Sequence, residues 1–157
     1  MPATEPNLGI ETKDVTELVA GLSRFLADTY TLYVTTQGYH WNVTGMTFPQ
    51  LHAMFEEQYM DLREAADEIA ERIRALGKIS PGSIAEFMEL STVKGGPAKD
   101  AAAMVQNLAE AHETIVRTAR PLVKLAEDAA DVATADLVTG RIVIHEKTAW
   151  MLRATAA

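Results

Sequence analysis

Residues on one side of the first third of the chain recur every three or four positions, the spacing of one face of an amphipathic helix. Asp14 with Glu17 three residues later forms a capping-box pattern and predicts where this helix begins. The helix then delivers His40 and Trp41 at its C-terminal end. Its inward positions are Val15, Leu18, Leu22, Phe25, Thr29, Leu32, Thr36 and Tyr39.

A second helical pattern begins near Thr47, which with Gln50 makes another capping box, and Gly77 provides a C-terminal stop. Pro49 is tolerated because it falls in the first turn. Unbroken, this helix spans about 43 Å. Acidic residues occupy a stripe beside its apolar one, so one face packs within the subunit and the next is free for a partner. The apolar stripe is Leu51, Phe55, Leu62, Ile69, Ile73 and Leu76.

Residues 78–96 are too many for a simple helical hairpin. Ser83 and Glu86 predict the cap of a short amphipathic helix with Ile84, Phe87 and Met88 on one side. A surface loop with one helical turn is the alternative interpretation.

A third helix is predicted from Pro97 to about Asp128, with a kink at Pro121, and a fourth from Ala133 to Arg153. Four long helices with one long crossover predict an all-α fold, a ferritin-like four-helix bundle with a short helix between the second and third helices. The bundle occupies residues 14–157, and residues 1–13 read as a flexible tail. The third helix turns Val105, Leu108, His112, Ile115, Ala119 and Leu122 inward, and the fourth carries Leu137, Ile144, Trp150, Met151 and Leu152.

The overall composition narrows the function classes. The formal charge of −8, from 22 acidic and 14 basic residues, disfavours non-specific binding to nucleic acid or anionic lipid and favours cations. The chain has no cysteine, which excludes disulfides and thiolate chemistry. No apolar run approaches the length of a membrane span, and the N-terminus lacks a basic and then apolar signal region, so a cytoplasmic protein is expected.

Two pairs on the second helix carry the candidate chemistry. His52 and Glu56 lie one turn apart, as do Asp67 and Glu71, so each pair projects from one side of the helix. The pairs are separated by fifteen residues, about 22 Å along the axis, so one metal ion cannot contact both pairs of the same chain.

The spacing of these pairs is palindromic about Asp61 and Leu62. If two copies of the helix cross antiparallel at that point, each His52 and Glu56 pair faces the other copy's acidic pair, which gives two identical sites per dimer. His40 could fold back onto the same cluster. Two imidazoles and three carboxylates suit iron, zinc or manganese. The alternative is that the carboxylates simply form a solvated helix face.

Other histidine arrangements are less favourable. Most di-iron bundles build their site within one subunit from Glu-x-x-His motifs. None of the four histidines has a glutamate three residues before it, so an intrasubunit di-iron centre is not expected. We expect His112 and His145 to be packed or surface residues rather than ligands.

Three segments, HWNVTG, LHAMFEEQ and DEIAERIRALG, resemble the Dps family of mini-ferritins, and the likeness extends from about residue 14 to the end. The resemblance implies a dodecamer that stores iron and oxidises iron(II) at ferroxidase centres across a dimer interface, near which the short helix lies. His40, His52 and Glu56 of one subunit would act with Asp67 and Glu71 of the other. Position 56 departs from the family pattern, because many members have the shorter Asp there.

The resemblance also implies hydrogen peroxide as the preferred oxidant. Trp41 would be an oxidisable ring beside the centre, although it could simply plug the end of the bundle. Glu127 and Asp136 match best the acidic pores expected at three-fold axes; the alternative for this region is helix-end electrostatics, favourable for Asp131 and Asp136 in any case.

Two further functions compete with iron storage. The first is compaction of DNA, which in this family depends on basic terminal extensions. Residues 1–13 contain Glu5 and Glu11 against Lys13, and only ATAA follows Arg153, so weak or absent DNA binding is expected. The second is a scaffold or adhesin that has lost catalysis, which the presence of all five expected ligands argues against.

Overall fold

The computed structural model describes residues 6–157, in which every regular element is a helix. The elements are α1 Thr12–Asn42, α2 Phe48–Ala75, α3 Ile84–Leu90, α4 Ala101–Asp128 and α5 Val132–Ala156. The helices α1 and α2 form one hairpin, α4 and α5 form the other, and α1 packs on α4 to join them. The short α3 lies in the crossover against α1. The predicted fold, a ferritin-like bundle with a short helix in the connection, is confirmed.

The bundle core follows the predicted stripes on α2 and α4, whereas on α5 only Leu152 of the five predicted residues is buried. Every predicted position on the apolar stripe of α2 is buried, and so are the six inward positions of α4. On α5 the buried side comprises Val138, Ile142, His145, Ala149 and Leu152, whereas Trp150 is 66% exposed. The burial pattern of α2 therefore leaves one side of this helix exposed to a partner, and that side carries Glu56, Asp67 and Glu71.

Several predicted helix starts are wrong by a few residues. The first helix begins at Thr12, and neither Glu11 nor Thr47, the two N-cap residues, makes a side-chain capping bond. The predicted capping boxes at Asp14 and Thr47 are therefore wrong. The predicted third long helix, α4, begins at Ala101 rather than Pro97, because the Asp100 side chain accepts a 2.8 Å hydrogen bond from the Ala103 amide. Of the predicted flexible tail, residues 1–5 lie outside the described residues.

Other local signals are confirmed. Ser83 and Glu86 form the predicted capping box of α3, and Phe87 is buried against the bundle. Gly77 ends the second helix with a φ of +83°, a conformation that favours glycine. The helix α4 continues on both sides of Pro121, and the kink predicted there stays a prediction.

A buried carboxylate fixes the crossover to the bundle. Asp28 on α1 is 1% exposed and accepts hydrogen bonds from the Ser91 hydroxyl, from the amide and hydroxyl of Thr92, and from the Val93 amide. Farther along α1, the Tyr39 hydroxyl donates to the Gly96 carbonyl at 2.8 Å. The segment between α3 and α4 is thus held at two points on the helix that carries His40.

Candidate metal centre

The connection between α1 and α2 brings two histidines face to face. His40 lies in the last turn of α1 and His52 in the first turns of α2, with only residues 43–47 between the helices. Gly45, at a φ of +103°, allows the tight reversal, and buried Val43 anchors it. The prediction that His40 folds back toward His52 is confirmed by this geometry.

The two imidazoles are held by reciprocal hydrogen bonds. The Nδ1 atom of His40 lies 2.7 Å from the backbone oxygen of His52, and Nδ1 of His52 lies 2.8 Å from the backbone oxygen of His40. The rings stack with their centroids 3.8 Å apart and their planes 16° from parallel. Each ring is therefore fixed both in position and in rotation.

These bonds also fix the tautomer. A carbonyl oxygen can only accept, so each Nδ1 must carry the hydrogen, and in a neutral ring the lone pair then resides on Nε2. Histidines that bind metals commonly donate their other ring N–H to a carbonyl or carboxylate, which orients the ring. His40 and His52 both have this arrangement.

Aromatic rings enclose the histidine pair. Phe48 stacks on the other face of His52 with a centroid distance of 4.9 Å, and Tyr59 meets His40 edge to face at 5.2 Å. His40 is 7% exposed, whereas His52 is half-buried. The pair thus has apolar walls and one partly open side.

The three predicted carboxylate ligands lie on the exposed side of α2. Glu56 follows His52 by one turn, and Asp67 and Glu71 lie farther along the same helix. Within residues 6–157, none of the three makes a side-chain hydrogen bond or ion pair, so their oxygens remain available.

The single chain does not bring all five predicted ligands together. No group of three or more histidine, aspartate or glutamate side chains in residues 6–157 is close enough to hold one metal ion. His40 and His52 meet, but Asp67 and Glu71 lie about 22 Å along α2 from them. The complete ligand set stays a prediction that requires a second subunit.

Trp41 and the predicted pore residues are all at the surface. Trp41 is 67% exposed, so it does not plug the bundle of a single chain. Glu127 and Asp136 are exposed at the junction of α4 and α5. Asp131, by contrast, caps α5 by accepting a hydrogen bond from the Thr134 amide, and it pairs with Arg72 at 2.8 Å. This is the helix-end electrostatic role that was the alternative to a pore for this region. The pore assignment of Glu127 and Asp136 stays a prediction.

Sequence reasoning missed a buried polar cluster on the inner side of the bundle. His112 and His145 were expected to be packed or surface residues, and both are packed in the core, where their Nδ1 atoms lie 2.8 Å apart. Arg141, one turn before His145, makes a two-pronged ion pair with Asp61 at 2.9 and 2.7 Å. Burial lowers the pKa of His112 to about 3, with the Arg141 charge contributing. The one available signal was the spacing of Arg141 and His145 on the apolar side of α5.

The fold agrees with that of known proteins. The family model described as a ferritin-like domain matches residues 19–157. The structure superposes on the Dps protein of Vibrio cholerae O1, described as a member of the ferritin-like diiron-carboxylate proteins, with a TM-score of 0.93, 32% identity and full coverage of both chains. It also superposes on an archaeal Dps homologue from Halobacterium salinarum with a TM-score of 0.92 at 27% identity, covering 98% of this chain and 87% of the other.

Sequence relatives lead to the same family. A low temperature-induced protein of Nostoc sp. is 41% identical over 150 residues, covering 94% of this chain and 84% of the relative. The DNA protection during starvation protein of Porphyromonas gingivalis is 35% identical over 149 residues and 94% of both chains. The chain therefore belongs to the ferritin-like proteins, and within them to the Dps family, for which iron storage is the family-level function. None of the helices within residues 6–157 is long and apolar enough to cross a membrane.

Proposed function

We propose that this protein is a mini-ferritin that oxidises iron(II), with hydrogen peroxide as oxidant, at sites shared between two antiparallel subunits. The iron(III) is then stored as mineral inside a shell of twelve subunits in the cytoplasm. The observation that carries the proposal is the reciprocal bonding of His40 and His52, which leaves the Nε2 lone pair of each ring free to bind a metal ion.

The donor set fits iron as the substrate. Imidazole nitrogen and carboxylate oxygen bind divalent first-row metals without the thiolates that favour copper(I) or iron–sulfur clusters. The chain has no cysteine to compete for the ion. A site with few protein ligands leaves coordination positions for water and oxidant, and it releases its product more readily than a closed structural site.

The second half of each site comes from a partner chain in this proposal. The palindrome of α2 places Asp67 and Glu71 of the second subunit opposite His52 and Glu56 of the first when the helices cross near Asp61. The exposure of these carboxylates in the single chain is what such a contact requires.

An apolar groove elsewhere on the bundle also favours association with a second subunit. It lies between α1, α3 and residues 95–98, has a volume of about 450 Å³, and is lined by Tyr30, Val34, Phe87 and Met88 among others. Met88 is 78% exposed and Val34 is 50% exposed. A second subunit that covers this surface would remove apolar area from water, which stabilises a dimer.

The chemistry balances with peroxide alone. Two iron(II) ions each lose one electron, the O–O bond of one hydrogen peroxide breaks, and hydrolysis of the two iron(III) ions releases protons. His40 and His52 hold the iron through Nε2 while the backbone carbonyls hold their Nδ1 protons, so neither ring can rotate away. Because the carboxylates partly neutralise the bound cation, they favour the more highly charged iron(III) over iron(II) and thereby favour oxidation.

The proposal is tested by replacing both His40 and His52 with Gly and measuring peroxide-driven iron(II) oxidation by stopped-flow absorbance. Rapid oxidation should be lost while the assembly, checked by sedimentation, stays intact. The matched control replaces Glu57 and Glu68, exposed carboxylates of the same helix outside the predicted ligand set, with Gln, and it should retain the rate. An unchanged rate in the His40→Gly, His52→Gly protein would reject the site.

A further inference from the structure

Three of the four tyrosines form a line of rings that begins at the histidine pair. Tyr59 on α2 meets His40 with a centroid distance of 5.2 Å, and Tyr33 on α1 lies 6.2 Å from Tyr59. Tyr30, one turn before Tyr33, follows at 5.5 Å, and Phe87 stacks on Tyr30 at 4.6 Å. Each neighbouring pair lies within the range of direct aromatic contact.

We propose that Tyr59, Tyr33 and Tyr30 form a relay that carries a single oxidising equivalent away from the candidate metal centre to the groove beside α3. This inference rests on the proposed function, because the oxidant is the hydrogen peroxide consumed at that centre. The relay differs from the predicted role of Trp41, which is 67% exposed and is not one of the rings in this line.

The hydroxyl groups of the relay are suited to one-electron chemistry. A phenol that loses an electron must also lose its proton, so its hydroxyl needs an acceptor such as water. Tyr30, Tyr33 and Tyr59 are all half-buried, and no hydroxyl among them has a hydrogen-bond partner within residues 6–157. Water can therefore reach them and take the proton.

The fourth tyrosine has the opposite environment. Tyr39 is 5% exposed, its hydroxyl donates to the Gly96 carbonyl and accepts from the Asn107 amide at 3.0 Å, and its ring contacts Phe55 rather than the relay. Tyr39 is thus a structural tyrosine next in sequence to His40, and it provides an internal control.

The relay has a use when only one iron(II) ion occupies a site. Hydrogen peroxide accepts two electrons as its O–O bond breaks, but a single iron(II) supplies only one. If Tyr59 supplies the second electron, it also releases its phenolic proton. The peroxide oxygens take up this proton and one more from solvent, so the products are one iron(III), one tyrosyl radical and two waters. Free hydroxyl radical is then not formed.

The line of rings gives this radical a route away from the iron. An electron passes from Tyr33 to the Tyr59 radical and then from Tyr30 to the Tyr33 radical, so the oxidising equivalent moves along α1. The charge of each tyrosine stays constant because each phenol exchanges its proton with water. Tyr30 lines the apolar groove together with Met88, a thioether that is itself oxidisable.

The experiment uses the intact oligomer in a Trp41→Phe background, loaded with one iron(II) per site and mixed with excess hydrogen peroxide. Samples are frozen within seconds for electron paramagnetic resonance, with ring-deuterated tyrosine to identify the radical, while iron(II) loss is followed in parallel. Tyr59→Phe, Tyr33→Phe and Tyr30→Phe keep the ring packing and remove only the phenol. Tyr39→Phe is the matched control.

We expect a deuterium-sensitive tyrosyl signal in the parent and in Tyr39→Phe, and loss of that signal in Tyr59→Phe. Tyr33→Phe should confine the radical to Tyr59 and change its spectrum. An undiminished signal in Tyr59→Phe, or iron oxidation with no tyrosyl signal in the parent, would overturn the relay while leaving the ferroxidase proposal standing. Failure of peroxide to oxidise the iron would overturn both.

Discussion

The Nδ1 atoms of His112 and His145 lie 2.8 Å apart in the core, so the two imidazoles share one hydrogen between α4 and α5. One ring donates and the other accepts, which requires the accepting ring to be neutral. Burial lowers the pKa of each ring, and Arg141 adds to the effect in both; His112 falls to about 3. Asp61 on α2, which acts in the opposite direction on His112, is already paired with Arg141.

This pair predicts acid sensitivity. The unfolded chain takes up protons on these histidines near their ordinary pKa of about 6.5, whereas the folded chain does not. The contribution of this pair to the free energy of unfolding is therefore fully present above that pKa and is lost as the pH decreases toward 3. The unfolding free energy should fall by up to about 1.4 kcal/mol per pH unit for each histidine, which urea denaturation between pH 7 and pH 4 would measure.

Replacing His145 with Gln provides the control. The amide can still bond to His112 but does not titrate, so the slope of stability against pH should fall by about half. An unaltered slope would show that other groups cause the acid sensitivity.

Asp28 predicts a second stability effect. Its buried carboxylate accepts four hydrogen bonds from residues 91–93, and removing it takes away the acceptor of the Thr92 amide and leaves the Val93 amide only the Ser91 hydroxyl at 3.2 Å. Asp28→Ala should lower the unfolding free energy by about 3 kcal/mol. Hydrogen exchange at the Thr92 amide should accelerate first, since this amide loses its acceptor directly.

The control for this change is Glu17→Ala on the exposed side of the same helix, which should alter stability by less than about 0.5 kcal/mol. If Asp28→Ala and Glu17→Ala behave alike, the carboxylate does not hold the crossover.

Weak DNA binding is the third prediction. The net charge is −8, and Arg153 near the C-terminus is engaged by Glu113 through two hydrogen bonds of 2.9 Å. The C-terminal segment therefore offers few cations to replace the counterions of DNA phosphates. A gel-shift assay with plasmid DNA at physiological salt should show little or no retardation, and a salt-sensitive shift would contradict this expectation.

Periodicity predicted the helices well because their burial is decided by long stripes. Leu51, Phe55, Leu62 and Ile69 lie on α2 where spacing alone placed them, and all are buried. Helix starts were less predictable: Glu11 is the N-cap of α1 without a side-chain bond, so no sequence pattern marks that position. Hydrogen bonds that cross between elements, such as those of Asp28, depend on packing that spacing does not encode.

Helical spacing also made part of the candidate site predictable. A one-turn spacing identified His52 and Glu56, and a short connection made the return of His40 plausible. The mutual bonding of the two rings to backbone carbonyls depends on the exact turn and was not predictable. Nor could spacing reveal that the tyrosines form a line, because Tyr59 and Tyr33 belong to different helices.

A mixed oligomer tests most directly whether two chains share each site. One variant would carry His40→Gly and His52→Gly, and the other Asp67→Asn and Glu71→Gln, so neither alone should oxidise iron(II) rapidly. Co-assembled in equal amounts, mixed dimers regain one intact site each, and about a quarter of the wild-type sites should be active. Peroxide-driven oxidation at that level is the predicted result. No recovery in a mixed oligomer shown by mass spectrometry to contain both chains would contradict the shared site.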